Sequence, residues 1–431
     1  MIYGLITIYL LLFTFITWNR FDFALALFFF LLPTYLIRFN IGPLPTTVLE
    51  MMFFVIFLIF IIKRRSLITG HLSKILKSNR FLFVGISLFL LATTISIFTS
   101  SNIKSALGEW KAFYIEPVLM FLIIITTLKS SNAKLIKHII FALILSGLLT
   151  SLLAIYQHFT GWMVPWDFWQ NNETFRVTAW YGFPNGVGLF LAPIWPLAFY
   201  GFKKIITDFS NKDWKKYLLL TPYSLFLIIS PLAIFYAKST GALVGLIAGL
   251  GILLLFYKKT RWPTIIIAII CLSSLLSFSS LSGIKDEIFF QDRSGQIRLS
   301  MWSDTFEFLK DNPIRGAGLA SYEEKIIPYH TTVNGEGIEI FHHPHNIFLT
   351  MWTNLGILGL VSFILILISI IKNSLKIQNS KFKIYILSSM VVILTMGLVD
   401  SPYIKNDLAI FFWLLPALLL TNKYELENNK A

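Results

Sequence analysis

The chain has 431 residues, of which 56% are hydrophobic and only 13% charged, with 41 Phe and a formal net charge of +14. A soluble domain carries roughly 25% charged residues, so this composition excludes one and leaves a polytopic membrane protein. The basic excess is spread through short loops, which reads as topology and contact with anionic lipid headgroups and gives no ground for a nucleic-acid partner.

An apolar run of about 18 residues can cross a hydrocarbon core, provided it is a helix that satisfies its own backbone. Such runs predict spans near 2–18, 22–38, 46–63, 81–98, 112–127, 139–157, 183–202, 217–236, 239–257, 262–281, 346–371, 383–400 and 404–421. The first two are short and separated only by Trp18-Asn19-Arg20-Phe21, so the total is twelve or thirteen. No basic residue precedes the first run and no small-residue cleavage site follows it, so it reads as a span and not a signal peptide. The single Cys271 lies inside a span, which excludes an intrachain disulfide.

Short loops rich in Lys and Arg stay cytoplasmic. Lys63-Arg64-Arg65 with Lys74, Lys77 and Arg80; Lys129, Lys134 and Lys137; Lys203 through Lys216; Lys258-Lys259-Arg261; Lys372 through Lys383; and Lys423 form one consistent set. The alternate loops then face outward: 99–111, 158–182, a tight turn near Lys238, 282–345 and 401–403. The longest, 282–345, holds 10 acidic and 6 basic residues and four of the seven histidines.

That long loop reads as folded. In RLSMWSDTFEFLKDNP, Leu299, Trp302, Phe306 and Leu309 recur at helical spacing, and Asn312-Pro313 ends the helix. A glycine turn at Gly316 and Gly318 and a short helix ending near Pro328 follow, which predicts a small helical cap with the histidines on its return leg. The other long outward loop is aromatic-rich, with Trp162, Trp166, Trp169, Trp180 and Tyr181 suited to the headgroup level and Pro184-Asn185-Gly186 turning into the next helix. The domains expected are a first bundle over 1–281, the outward loop over 282–345, a last bundle over 346–421 and a cytoplasmic tail over 422–431.

His345-Asn346, followed after nine residues by Gly356 and after two more by Gly359, places an imidazole where a polar loop enters a membrane helix. In order along the chain come FRVTAWYGFPNGVG, KSTGALVG after a span, IRLSMW, NPIRGAGLASY and HPHNIFLTMWTNLGILGL. Together, over about 176–365, they resemble the O-antigen ligase and Wzy-type polymerase family of bacterial membrane glycosyltransferases. The resemblance implies an all-α, GT-C-like bundle in the bacterial cytoplasmic membrane. It also implies transfer of a glycan from an undecaprenyl-diphosphate carrier to a glycan or glycolipid hydroxyl on the outer face, without metal or other cofactor.

Such a transfer needs an acceptor for the incoming hydroxyl's proton and positive charge for the departing diphosphate. His345 suits the first, since an unperturbed imidazole is largely neutral near pH 7. Arg298 and Arg176, both on outward loops, suit the second, because a guanidinium stays charged and forks onto phosphate oxygens. Lys238, Asn346, His343 and Tyr322 are carried as substrate-binding candidates. Relatives commonly place arginine after the serine of the KSTG turn, where this chain has Thr240, and an acidic residue where it has Asn354.

Each role has a plainer competitor. His345 suits a polar helix cap, His342 and His343 loop polar groups, Arg176 a headgroup anchor, and Arg298 a partner stacked on Trp302. A zinc cluster of the loop histidines with Glu336 and Glu339 has irregular spacing and no cysteine. Transfer to a protein hydroxyl remains open within the class. A transporter or flippase would show ionisable residues near mid-membrane and internal repeats, whereas Glu50, Glu116 and Asp400 lie at or near span ends.

Overall fold

The computed structural model describes residues 2–428 apart from 43, 65–72, 131–133, 172, 208–213, 279–281, 334–335 and 378–379. Arg65 and the boundary expected at 281 lie outside the described residues, as do the last three residues of the tail.

The protein is an all-α integral membrane protein, and every expected span meets an apolar helix. Among the described residues seven helices are long and apolar enough to cross a membrane, and shorter apolar helices stand beside them. The second expected span is the exception in form. Phe21–Phe30 is helical for ten residues and continues as a 3-10 turn, Leu32–Leu36. At about 1.5 Å per residue the α-helical part alone is too short for a hydrocarbon core. Pro33 near the start of the turn fits the change, since proline lacks the amide that would extend the helix. The chain then turns through an antiparallel hairpin, Arg38–Ile41 with Leu44–Thr47, into the helix Val48–Lys63. That helix is capped reciprocally by Thr47 and Glu50.

Contacts sort the loops onto two ends. At one end, Lys63 Nζ donates to Trp18 O at 2.7 Å, Arg64 pairs with Asp22 at 3.0 Å, and Tyr257 and Tyr385 hydroxyls meet at 3.0 Å. At the other, Ser100 meets Ser321, Lys325 donates to Thr99 O, Arg176 reaches Ala237 O, and Arg298 reaches Val399 O. The loops expected to share one side, 99–111, 158–182, 238, 282–345 and 401–403, therefore gather at a single end.

Between the ends, Phe89, Tyr114, Phe363, Tyr403, Phe412 and Trp413 interlock edge-to-face and tilted around the bundle centre. The helix Lys258–Ser277 buries none of its side chains and Cys271 on it is exposed, so this span stands at the rim.

The cap has a small core of Phe308, Leu309, Ala317, Tyr322 and Ile326, which packs on Leu349 of the helix Ile347–Lys376. Its main helix, Arg293–Asp311, starts on Asp292, whose side chain accepts from Gly295 N, and stops at Asn312 as expected. The buried face shares only Leu309 with the apolar stripe. Met301, Asp304, Thr305, Phe308 and Leu309 face inward, while Leu299 and Phe306 are exposed. Asp304 is buried because it accepts from both the amide and the hydroxyl of Thr331, which pins the return leg, so a polar residue belongs to the inner face.

The cap is joined to the helix Ile347–Lys376 through a break at Gly356, whose φ of 68° and ψ of −175° interrupt the helix. Ala317 N donates to Thr353 O at 2.6 Å and Ile357 N to Ile314 O at 3.2 Å, so the backbone groups freed by the break are satisfied by the cap. A Cβ on Gly356 would run into Ile314 O, and the positive φ is itself one that glycine tolerates best.

Candidate functional site

The site begins at the N-terminus of Ile347–Lys376. Asn346 has extended backbone, and its Oδ1 accepts from Phe348 N and Leu349 N, so it is an N-cap. Its Nδ2 donates to Leu398 O at 3.0 Å, and Ile347 N donates to Gly397 O at 2.7 Å. The helix start is thus tied to the turn after Phe382–Met396, with Thr350 and Ser401 hydroxyls 2.7 Å apart beneath it.

These ties put Asp400 beside His345. The His345 Nδ1 and Asp400 Oδ1 are 3.2 Å apart, and Asp400 also accepts from Ser401 N at 2.8 Å and from Asn185 Nδ2 at 3.0 Å. The imidazole keeps 21% side-chain exposure and the carboxylate 10%, so the ring is the reachable member. Burial alone would raise the Asp400 carboxyl. The charge and hydrogen bond of His345, with His343 and the Ser401 amide, hold it well below the usual carboxylate range. A carboxylate facing Nδ1 favours the Nδ1–H tautomer and leaves Nε2 with a lone pair.

His345 has φ 47°, a left-handed conformation uncommon for a residue other than glycine and one that functional sites retain when their surroundings impose it. His343 Nδ1 accepts from His345 N at 3.3 Å, and the two rings are 4.7 Å apart at 67°. Burial and the neighbouring His345 push the His343 imidazole down to about 3, in keeping with a ring that accepts an amide.

Asn185 connects this pair to Arg176. The Arg176 Nη2 donates to Asn185 Oδ1 at 2.9 Å and to Lys238 O at 3.0 Å, its Nε donates to Ala237 O at 2.8 Å, and its guanidinium lies 5.0 Å from the Trp169 ring centre. The loop that carries it is held by buried Gln157, which accepts from Thr178 N and Ala179 N and donates to Ala179 O. Arg298 donates from Nε to Val399 O at 3.0 Å, one residue before Asp400, and from Nη1 to Ser294 Oγ at 2.8 Å. The Arg176 guanidinium is pushed down to about 10 by burial and then by the Arg298 charge, which leaves it charged at neutral pH. Among the described residues neither arginine has a carboxylate within ion-pair distance, so two like charges are aimed by main-chain carbonyls, with Glu287 and Asp400 acting on Arg176 only from farther away.

The structure therefore brings together His345, His343, Asn346, Arg176 and Arg298. Lys238 joins them by its carbonyl, while its side chain is exposed and its φ is 48°. Thr240, where relatives commonly carry arginine, donates to Glu287 Oε2 at 2.7 Å and fastens the turn to the segment entering the cap. Tyr322 is not brought to the cluster. It is buried in the cap core, and its hydroxyl meets Thr305 Oγ1 at 2.7 Å, a structural position. Asp400 and Asn185 are the members that sequence reading missed, although Asn185 was visible as the centre of Pro184-Asn185-Gly186.

One trio could hold a cation: ligand-type atoms of His343, His345 and Asp400 lie within 4.8 Å of one another. His345 Nδ1 faces Asp400 Oδ1 and His343 Nδ1 accepts an amide, so a cation bound through these atoms would replace both contacts, whereas one bound through the Nε2 atoms would leave them in place. The zinc set weighed from sequence around Glu339 is not assembled among the described residues.

Residues 225–364 match a family model described as O-antigen ligase. No curated protein matches the chain.

Proposed function

We propose, from the premise that residues 225–364 make this chain a member of the O-antigen ligase family and its reaction a glycan transfer, a specific division of labour at the His345–Asp400 pair. The donor is a polyprenyl-diphosphate-linked glycan and the acceptor a hydroxyl of a surface glycan or glycolipid. The acceptor oxygen attacks the anomeric carbon, its proton passes to His345 Nε2, and the bond to phosphate breaks with its electron pair leaving on the lipid diphosphate. Attack from the face opposite the leaving group inverts the anomeric centre.

Asp400 does not touch substrate in this scheme. It fixes the tautomer and stabilises the imidazolium as it forms, the role that a buried carboxylate plays beside a catalytic histidine. Arg176 and Arg298 meet the negative charge that grows on the diphosphate. Charge supplied by two preset guanidiniums makes a divalent cation unnecessary for the leaving group. Asn346 holds the helix start in place, and His343 stays neutral against the His345 backbone.

The observation that carries this reading is the His345–Asp400 pair standing next to two half-buried arginines that have no carboxylate partner. The Lys/Arg-rich loops at the far end support placing this end outward from the bacterial cytoplasmic membrane. A cap formed by 282–345 over a bundle that it interrupts is supported by the small apolar cluster of Phe308, Leu309, Ala317, Tyr322 and Ile326, which packs on Leu349 of the following helix.

The deciding experiment is transfer by purified protein in lipid nanodiscs from a polyprenyl-diphosphate donor, with EDTA and with added magnesium, manganese or zinc. Equal rates in all conditions are expected. A strict metal requirement would convert the His343, His345 and Asp400 trio into a metal site and overturn the base assignment.

A further inference from the structure

Asn185, the second residue of the helix Pro184–Thr207, touches both halves of the proposed machinery. Its Oδ1 accepts from Arg176 Nη2 at 2.9 Å and its Nδ2 donates to Asp400 Oδ2 at 3.0 Å. The neighbours dictate which way the amide points. A guanidinium has only donors and an ionised carboxylate only acceptors, so the oxygen must face Arg176 and the nitrogen Asp400. A neutral side chain thus stands between a cation and an anion, which are separated by one carboxamide and two hydrogen bonds.

The two carboxylate oxygens of Asp400 have different occupations. Oδ1 faces His345 Nδ1 at 3.2 Å and accepts from Ser401 N at 2.8 Å. Among the described residues Asn185 alone donates to Oδ2. Asp400 is buried, so an Oδ2 left without a donor would be costly. Removing the carboxamide orphans that oxygen and a guanidinium donor together, on opposite charges that both reached for the same amide. Attraction between charges is strong in a partly buried site, so the two groups would close into an ion pair. Arg176 would then be neutralised and Asp400 drawn away from His345.

Local packing keeps Asn185 in register with both partners. A Cβ on Gly186 would stand 2.7 Å from the Tyr181 Cβ, and one on Gly188 would stand 2.4 Å from the Ala242 Cβ and 2.7 Å from Ser239 Oγ. The start of the helix therefore lies close against its own entry loop and the turn at Lys238-Ser239. That turn supplies the carbonyls of Ala237 and Lys238 that aim Arg176. The guanidinium is held by these carbonyls and by Asn185, and only Asn185 also bonds the carboxylate.

We infer that Asn185 is a positioning residue that holds Arg176 and Asp400 apart, keeping the guanidinium free for a diphosphate and the carboxylate free for His345. Asn185→Asp would keep a bond to Arg176 but set a second carboxylate against Asp400, and Asn185→Ala would keep neither bond. The inference rests on the diphosphate role proposed for Arg176.

The test reads binding, which needs no turnover. The full chain in nanodiscs is titrated with farnesyl diphosphate, with farnesol as the control for partition into lipid. Asn185→Ala is expected to raise Kd roughly tenfold or more, since a charge-assisted hydrogen bond to the diphosphate is lost. Asp400→Asn added to Asn185→Ala is expected to return Kd to within about threefold of wild type, because Arg176 then has no carboxylate to close onto. A packing defect at residue 185 would not be repaired in this way. Asn185→Asp preserves the shape of the side chain; it should raise Kd by a similar factor and resist rescue by Asp400→Asn, since its own carboxylate bonds Arg176. Wild-type affinity in either Asn185 variant, or a loss in Asn185→Ala that Asp400→Asn leaves in place, would overturn the inference. Should Asn185→Ala fail to fold, Asn185→Asp decides. Failure of the underlying reading is separately visible, as wild-type affinity in Arg176→Gln, and it would take the inference with it.

Discussion

The cations around Asp400 and those at the far end of the bundle are held differently, although Lys111 near the site end is ion-paired with Glu50. At the far end Arg64 is paired with Asp22, Lys63 caps a carbonyl over the Trp18 ring, and Lys203 and Lys372 lie over Tyr257 and Phe81. At the site end Arg176 and Arg298 are aimed by carbonyl oxygens with no carboxylate within ion-pair distance, although Asp400 is an electrostatic neighbour of Arg176, and Lys405 lies over the Phe183 ring. Cations that only set topology can be neutralised without loss. Cations left unneutralised in a partly buried place mark where an anion is to arrive.

The sharpest way to break this comparison is at the histidine. His345→Ala is expected to lower transfer by about 10³-fold or more while the protein still inserts and stays monodisperse in detergent, because general-base removal acts on the barrier and the ring is not core packing. Retention of more than a few per cent of wild-type transfer would sink the assignment. Asp400→Asn should cost roughly 10²-fold, since an amide can present its NH₂ to Nδ1 and select the wrong tautomer. A loss in KM alone, with kcat intact, would make Asp400 a binding residue instead.

Smaller effects sharpen the contrast between ends. Arg176→Lys and Arg298→Lys should each lower kcat roughly tenfold, because charge survives but the fork that reads both carbonyl and phosphate does not. Arg64→Lys at the far end should change kcat by less than about twofold, since this partly exposed ion pair is remote from the site and lysine keeps its charge. Similar losses at both ends would return all three arginines to the role of membrane anchors.

Acid should weaken the site before it weakens the bundle. His343 titrates near 3 in the folded protein against about 6.5 for a free imidazole, so between those values the unfolded chain binds more protons and stability falls as pH falls. Asp400 is shifted in the same direction and adds to the loss as its carboxylate is protonated. The melting temperature of the solubilised protein should therefore be lower at pH 4.5 than at pH 7.5, and His343→Gln should reduce that difference. An unchanged difference would show that His343 is not the titrating group.

Much of this was legible in the sequence because lipid imposes a simple rule. Long apolar runs mark the helices, loop charge sorts their ends, and the His345-Asn346 junction with its two glycines stands out against such a background. Asp400 was not legible as a partner. It lies 55 residues from His345 and reads as a polar residue closing an apolar run, and only the turn tied to the helix start by Asn346 and Ile347 brings the two together. Tyr322 misled for the reverse reason: a hydroxyl near the histidines in sequence points to a neighbour in the cap core. The inner face of Arg293–Asp311 was not legible, because hydrophobic spacing alone cannot reveal that Asp304 turns inward to bond Thr331.

The break at Gly356 has a consequence for how the chain is made. Thr353 O and Ile357 N bond to residues 314–317, which leave the ribosome before this helix does and lie in the loop outside the hydrophobic run. The helix Ile347–Lys376 therefore cannot complete its backbone bonding by inserting alone. It must receive a segment that is already waiting at its own mouth, and each of the two bonds, if lost, leaves buried main-chain groups at a cost of about 1–3 kcal/mol. The cap is then a participant in insertion as much as a cover. A deletion of residues 293–330 would be expected to leave the last three spans in the membrane but to destabilise the start of the helix Ile347–Lys376, by about 1–3 kcal/mol for each of the two bonds lost.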